Sequence, residues 1–484
     1  MRAKIATMLS QVTQTGTRPH EQESYGRSLE TWLFICLIAA LAIAPLPLGS
    51  NRPLPFAILS AVIGFLLVIW AGTVIFGQSK LSPHIARISW ALILYFVVCI
   101  WVFVQYLPLP FSGPIDPIWS EAAKILATDI QGHISVNPES TLSGLLHLLT
   151  YAAIFWLSFN LAADSRRARL GVRAMAFIAA AYGIYGIVIF LTGNEWILTY
   201  RKWAYQESLS STFVNRNSYA TYAGLGLLCA IVVLLERLHP LIKVSMPART
   251  KIVMLVEEIS TRSVWITSLT VTSALALFLS ASRAGVAASV VAAICLIIVT
   301  LPRTMRRKAP LAALTIAFFV FICGMYLAGG GTLSKRLSAN RVGDSVEVRG
   351  EIYEITLSAI ATSPWNGTGY GTYADVIPAY RSTGSASMTK HDKAHNTYLE
   401  NALELGIPAA ALLNLAVLLL AIRTARGAWE RQREKLLPAL GLAATILVGL
   451  HGLVDFSLQI PAVTATYAFI MGVSVSQSWS RRDK

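Results

Sequence analysis

The stretch of sequence that decides the fold begins at Val264, ends at Leu301 and reads VWITSLTVTSALALFLSASRAGVAASVVAAICLIIVTL. It holds two long apolar runs, 264–281 and 285–301, with one charged residue, Arg283, between them. A run of roughly 20 apolar residues can cross the hydrocarbon core of a bilayer as a helix. Because backbone groups in lipid must be hydrogen-bonded within the protein, these runs predict transmembrane helices.

The same pattern recurs along the chain of 484 residues, of which 55% are hydrophobic and 13% charged, with a mean hydropathy of +0.58. A water-soluble domain carries about 25% charged residues, so this composition excludes a soluble enzyme. We predict an all-α polytopic membrane protein with about 12 transmembrane helices and boundaries good to a few residues. The predicted spans are 30–48, 54–76, 88–107, 142–162, 172–192, 218–235, 264–281, 285–301, 310–328, 406–422, 437–456 and 461–478.

The distribution of basic residues predicts the orientation. Residues 1–29 are polar and are expected to form a cytoplasmic N-terminal tail, followed by a transmembrane domain over 30–478. With both termini cytoplasmic, 27 of the 40 Lys and Arg residues fall on the inner side. This is the positive-inside pattern of membrane proteins. The net charge of +15 therefore reflects membrane topology, and no nucleic-acid partner is expected.

The longest segment between predicted spans is a late periplasmic loop over 329–405. Loops of this length in compact proteins are usually functional. Within this loop, residues 349–360 and 395–404 are expected to be short helices, and Pro364–Gly371 is expected to be a turn.

Two arginines stand where a charge is costly. Arg283 lies between two spans with almost no loop, so it faces either a wet cavity and a partner, or the outer headgroups. Arg216 lies between Asn215 and Asn217 where the sixth span begins, and a helix N-terminus favours an anion. A capping role for Asn217 and an interfacial role for Arg216 remain the alternative.

A histidine on the same predicted side can accept a proton near neutral pH. This residue, His395, ends the long loop, and a solvated histidine without a role is the alternative. His391 lies four residues earlier and could share a metal with it, but no third ligand follows at a recognisable spacing. His451 and Asp455 lie one helical turn apart near the outer end of the eleventh span, where a carboxylate can pair with the arginines.

Together these residues resemble the bacterial O-antigen ligase and polysaccharide polymerase family. The resemblance covers roughly residues 200–460, and it depends on the order and common outer side of several motifs. These motifs are Phe213–Ala220, Ser282–Gly285, Gly367–Gly371, Ala394–Glu400, Gly406 and Asp455–Pro461.

The resemblance implies an inverting, metal-independent glycosyltransferase of the bacterial inner membrane, with a periplasmic active site and no cofactor. The implied donor is a glycan on undecaprenyl diphosphate, and the acceptor is carried on a lipid or a glycan. Carried over by motif, Arg216 and Arg283 would bind the diphosphate, and His395 would be catalytic. The residues expected to support this site are Asn215, Asn217, Arg349, Tyr370, Asn396, Glu400 and Asp455.

Other functions remain open on the sequence. The chain could be a ligase, which transfers the glycan to a different acceptor, or an exopolysaccharide or O-antigen polymerase of the same family. Twelve spans with cytoplasmic termini also describe a transporter, although the short 80–87 segment lacks the loop pattern of the major facilitators. A scaffold in an assembly complex is a third alternative.

Overall fold

A computed structural model describes residues 19–110, 113–243, 247–301, 339–380, 392–431 and 434–479. The structure is 75% helical, which confirms an all-α fold rich in apolar helices. The predicted span 310–328, residue His391 and part of the 329–405 loop lie outside the described residues.

The α-helices of the described residues are numbered in chain order. They are α1 Pro19–Ile43, α2 Pro53–Ile75, α3 Ser89–Tyr106, α4 Pro117–Leu126, α5 Pro138–Leu161, α6 Ser165–Leu191, α7 Arg216–Lys243, α8 Ala248–Glu257, α9 Val264–Leu279, α10 Arg283–Thr300, α11 Ala339–Thr362, α12 Tyr373–Val376, α13 Thr397–Leu405, α14 Ile407–Glu430, α15 Leu436–His451 and α16 Pro461–Ser476.

Eleven of the predicted spans coincide with helices in this set. In the described part of the chain, seven helical segments are long and apolar enough to cross a membrane, or eight when a bent pair is counted as one span. The bend measures 84° and separates Ile252–Arg262 from α9. The helices α15 and α16 and the apolar part of α1 are shorter. The count of twelve spans therefore stays a prediction.

A small β-hairpin interrupts the helical architecture between α6 and α7. Its strands, β1 Trp196–Ile197 and β2 Tyr200–Arg201, pair antiparallel, with Trp196 opposite Arg201. Hydropathy does not predict this element, because two strands of two residues each leave no apolar run.

The helix α7 lies at the centre of the bundle, where it packs against α6, α9, α10 and α15. Small residues permit the closest crossings. A Cβ atom at Gly226 would overlap the Cβ of Ala179 on α6. A Cβ at Gly285 would lie 2.7 Å from the Cβ of Ala220 and 3.2 Å from Cε1 of His451. These glycines bring α6, α10 and α15 against α7, as small residues do in membrane bundles.

At one end of the bundle, the N-termini of α7, α10 and α13 lie beside the C-terminus of α15. The helix α13 begins at Thr397, two residues after the predicted start, because His395 has a positive φ of 52° and the Asn396 side chain caps the helix. The backbone N–H of Thr397 donates to the carbonyl of Gly452, which follows α15 (2.8 Å). This contact joins the end of the long loop to the bundle core.

Candidate functional site

Asp455 is the centre of the polar cluster at this end. Its side chain is completely buried. One carboxylate oxygen, Oδ1, accepts a hydrogen bond from Nδ2 of Asn217 (3.1 Å) and lies 4.0 Å from Nδ1 of His395. The other oxygen accepts a short hydrogen bond from Ser457. Residues from three distant parts of the chain thus converge on one carboxylate.

His395 is held from several directions. Its carbonyl oxygen accepts a hydrogen bond from the Tyr353 hydroxyl (3.0 Å), and its ring lies edge-on to Phe456 at 4.9 Å. Tyr353 lies one turn after Arg349 on α11. The His395 side chain keeps 24% of its surface exposed while Asp455 has none. The imidazole therefore contacts a buried carboxylate on one side and an open space on the other.

Glu400 fixes the two residues that precede His395. This carboxylate is buried, and its oxygens accept hydrogen bonds from Nζ of Lys393 (3.2 Å) and the N–H of Ala394 (3.0 Å). A non-glycine residue with positive φ persists only where its surroundings hold it. The contacts of Glu400, Asn396 and Tyr353 supply that support for His395.

Glu404 is a buried carboxyl group that lies one turn after Glu400 on α13. Its Oε1 accepts a hydrogen bond from the N–H of Tyr373 (3.0 Å). Burial, reinforced by the nearby charge of Glu400, raises the pKa of Glu404 to about 8, although Lys393 opposes the shift. Glu404 therefore carries less than a full negative charge at neutral pH.

Arg216 begins α7 and directly precedes Asn217, which bonds Asp455. Its Nη1 donates to Oγ of Ser208 (3.2 Å), and its guanidinium lies 5.3 Å from the ring centre of Tyr205. Burial raises the pKa of Tyr205, while the charges of Arg216 and Arg349 lower it and that of Asp455 raises it. All three charges therefore act on the same hydroxyl. The side chain of Asn215 caps the turn by accepting from the N–H of Asn217 (2.7 Å).

Arg283 lies at the same end of the bundle, on α10 instead of α7. It is the first residue of α10, and Ser282 caps this helix through the N–H of Gly285 (3.3 Å). The side chain of Arg283 is exposed. Among the described contacts it bonds neither His395 nor Asp455, so its proximity to them rests on the packing of Gly285 against Ala220, one turn below Arg216.

Tyr370 lies apart from this cluster. Its N–H donates to Oε1 of Gln105 on α3 (3.3 Å), and its ring packs against Gly144 on α5. It lines an apolar cavity of about 1170 Å³ bounded by α3, α5, α14, α15 and α16. Thr397 connects the two regions, because it lines the cavity and its hydroxyl donates to the carbonyl of Asp455 (3.2 Å).

Several residues of the cluster were not predicted. Ser457 and Tyr353 contact Asp455 and His395 directly, and Thr221 bonds Nδ1 of His451 at 2.6 Å beneath them. The spacing of Tyr353, four residues after Arg349 on a predicted helix, was the available signal. Within the described residues, no group of three His, Cys, Asp or Glu side chains could hold a metal ion.

Comparison with known proteins supports the predicted resemblance. Residues 268–414 match the family model described as O-Antigen ligase. This match confirms the predicted family resemblance over these residues, and it supports a membrane-bound enzyme of ligase or polymerase type that transfers glycans from lipid-linked substrates. The matched segment contains Arg283, Arg349 and His395, whereas Arg216 and Asp455 lie outside it. None of the curated proteins compared with the chain matches it.

Proposed function

We propose that this protein transfers a glycan from undecaprenyl diphosphate to an acceptor hydroxyl at the periplasmic side of the bacterial inner membrane. The observation that carries the proposal is the convergence of His395, Asp455 and Asn217. Arg216 directly precedes Asn217 at the start of α7. A base and a cation at one end of an apolar bundle are what transfer from a membrane-anchored diphosphate requires.

The orientation of His395 favours a role as general base. Nδ1 lies 4.0 Å from the Asp455 carboxylate, so a proton on Nδ1 would face that carboxylate and leave the lone pair on Nε2. That nitrogen takes the proton of the acceptor hydroxyl as its oxygen bonds the anomeric carbon. The bond from this carbon to the diphosphate breaks in the same step, so the anomeric configuration inverts. Asp455 then stabilises the imidazolium, and its Asn217 and Ser457 contacts keep it in place.

The leaving group is undecaprenyl diphosphate, which gains negative charge as the glycosidic bond breaks. Arg216, at the N-terminus of α7, is suited to stabilise this charge, since the helix dipole and the guanidinium act together. Arg283, at the N-terminus of α10, would add a second guanidinium from the neighbouring helix. Two guanidiniums can take the charge-neutralising role that other glycosyltransferases give to a divalent ion, so we propose metal-independent chemistry.

The proposed organisation follows the distribution of basic residues. Residues 1–29 are the cytoplasmic tail, 30–478 the transmembrane domain, 329–405 the periplasmic loop, and 200–460 the ligase-like region.

Single cysteines introduced into a cysteine-free variant can test this topology. Thr128, before α5, and Thr250, on α8, are both exposed. Thr128→Cys should react with an impermeant thiol reagent in spheroplasts, and Thr250→Cys should react only after lysis. The reverse pattern would remove the site from the periplasm.

The activity itself is tested with purified protein in nanodiscs that contain an undecaprenyl-diphosphate-linked glycan. Addition of a lipid A-core acceptor should give product if the protein is a ligase, whereas elongation of the donor glycan without other acceptor identifies a polymerase. Either product should form in the presence of EDTA. Transport of substrate across the bilayer without a new glycosidic bond would favour the transporter alternative and refute the proposal.

A further inference from the structure

Lys202, directly after β2, is a lysine that the fold turns inward. Its neighbours in sequence are open to solvent, since the side chain of Arg201 is 71% exposed and Trp203 is 68% exposed. Lys202 itself is 7% exposed. Its backbone N–H donates to the carbonyl of Glu195 across the hairpin (2.7 Å), which fixes the direction of its side chain.

The inward direction brings Lys202 to the residue that also holds Arg216. Nζ of Lys202 donates to the carbonyl oxygen of Ser208 (2.7 Å), and Nη1 of Arg216 donates to the hydroxyl of the same serine (3.2 Å). The next N–H, of Leu209, donates to the carbonyl of Leu279 at the end of α9 (3.2 Å), just before the turn to Arg283. One short segment thus anchors Lys202 and Arg216 and contacts the turn that carries Arg283.

The buried ammonium of Lys202 lies beside a second cation, Arg216, at the same serine. Burial, and then the charge of Arg216, lower the pKa of Lys202 to about 8. Within the described residues no carboxylate lies within ion-pair distance of its Nζ. A neutral donor could bond the Ser208 carbonyl equally well, so tethering the loop does not require a buried cation beside the half-buried Arg216. A bound anion would relieve the repulsion.

We infer that Lys202 is a third cation of the diphosphate site, and that it shares the charge of a diphosphate with Arg216 so that the site discriminates against a monophosphate. This inference rests on the proposed function, because it concerns the same anion. It adds a binding residue from the hairpin, an element outside the helix bundle and outside the motifs of the family resemblance.

Binding of undecaprenyl diphosphate and undecaprenyl monophosphate to the full-length protein in nanodiscs tests the inference. Lys202→Met should weaken diphosphate binding by about 10-fold, the usual effect of one lost charge-assisted contact, and monophosphate binding by less. Lys202→Arg should retain most of the affinity. Lys124→Met is the matched control, because Lys124 is an exposed lysine on α4 and should leave both affinities unchanged.

Proton uptake on diphosphate binding is a second measurement, and it does not require a variant in which the Lys202 side chain is shortened. At pH 8, an anion that restores the charge of Lys202 should draw a proton onto the protein, measurable by calorimetry in buffers with different heats of ionisation. Lys202→Arg should bind without this uptake, because the guanidinium stays charged at pH 8.

The outcomes separate this inference from the proposed function. If the wild type binds the diphosphate and Lys202→Met binds it equally well, or if Lys202→Arg takes up as many protons as the wild type, Lys202 is a structural tether and the inference is wrong. If the wild type binds no undecaprenyl diphosphate, the proposed function fails with it. A Lys202→Met protein that does not fold leaves the uptake comparison to decide.

Discussion

Two membrane helices of similar apolar character have opposite environments. In the most apolar 18-residue segment of α2, 28% of the residues are buried, whereas in that of α7 83% are buried. The helix α2 exposes large apolar side chains such as Phe65 and Val68, while α7 buries Asn217 and Thr221. Hydropathy identifies both as helices, but only the distribution of small and polar residues indicates which one is interior.

The difference has a physical basis. Lipid chains are as apolar as leucine side chains, so a lipid-facing helix gains nothing from small or polar residues. An interior helix needs small residues for close approach and can hold polar groups that bond one another. The proposed chemistry is concentrated where α7, α10, α13 and α15 meet, and mutations there should differ sharply from mutations on α2.

The largest effect is expected at His395. His395→Ala should lower single-turnover transfer by at least about 100-fold, because a general base contributes roughly that much or more in the transition state. Binding of the lipid-linked donor should change little, since the base acts mainly after binding. His133→Ala, a histidine on the same predicted side that bonds the carbonyl of Tyr106, is the control and should retain activity. Wild-type turnover in His395→Ala would exclude the proposed role.

A smaller effect, with a different signature, is expected at Arg283. Arg283→Ala should weaken donor binding by about 10-fold or more and should also slow transfer, because the diphosphate is charged before and during the reaction. Arg283→Lys should recover part of both, since an ammonium cannot reproduce the planar fork of a guanidinium. Arg201→Ala, which removes an exposed arginine from the hairpin, is the control. Normal donor binding by Arg283→Ala would remove this residue from the site.

Stability should separate the two helices directly. Gly226→Ala on α7 forces a Cβ into Ala179 of α6 and should destabilise the protein by about 1–3 kcal/mol. Gly64→Ala on α2 meets open space and should be neutral or slightly stabilising through helix propensity. Thermal unfolding of the two purified variants in one detergent measures the contrast. Equal losses would mean that α7 is not the packed centre of the bundle.

A dependence of stability on pH is expected at Glu404. Its pKa is raised to about 8 in the folded protein, so the folded state holds a proton that the unfolded chain releases near its ordinary pKa of 4.5. The contribution of this group to stability is therefore full below about pH 4.5 and is lost as the pH rises through 8. The melting temperature of Glu404→Gln relative to the wild type should rise from pH 5 to about pH 8 and change little above that. Glu195→Gln, at a partly exposed glutamate, should show no such trend. A constant difference between Glu404→Gln and wild type would contradict the shift.

Hydropathy predicted the helices well, because a long apolar run in lipid can hydrogen-bond all of its backbone groups only as a helix. It did not predict the 84° bend before α9, because an average of hydropathy over a segment carries no information on the direction of the helix axis. It also did not predict the hairpin at Trp196–Arg201, because strands this short leave no apolar run. The start of α13 was also displaced. The backbone of His395 is set by the hydrogen bond from Tyr353 to its carbonyl and by the bond between Ala394 and Glu400, and not by local propensity.

The candidate site was predictable where a polar residue interrupted an apolar pattern. Asn217 and Asp455 stood out for that reason, whereas His395 stood out as a possible base at the end of the long loop. The three residues lie together in the structure. Lys202 did not stand out, because a lysine beside an arginine in a polar loop is ordinary until the hairpin turns it inward. Tyr370 shows the opposite limit: its motif placed it in the site, whereas the packing of its ring against Gly144 assigns it to the wall of the apolar cavity.

The anomeric configuration of the product tests the central claim most directly. If His395 activates an acceptor hydroxyl for a single displacement, the new glycosidic bond must have the opposite configuration to the bond between donor glycan and diphosphate. Purified protein, a donor of defined configuration and NMR of the isolated product suffice for this measurement. The proposed mechanism predicts complete inversion. Retention, or isolation of a glycan covalently attached to the protein, would contradict it.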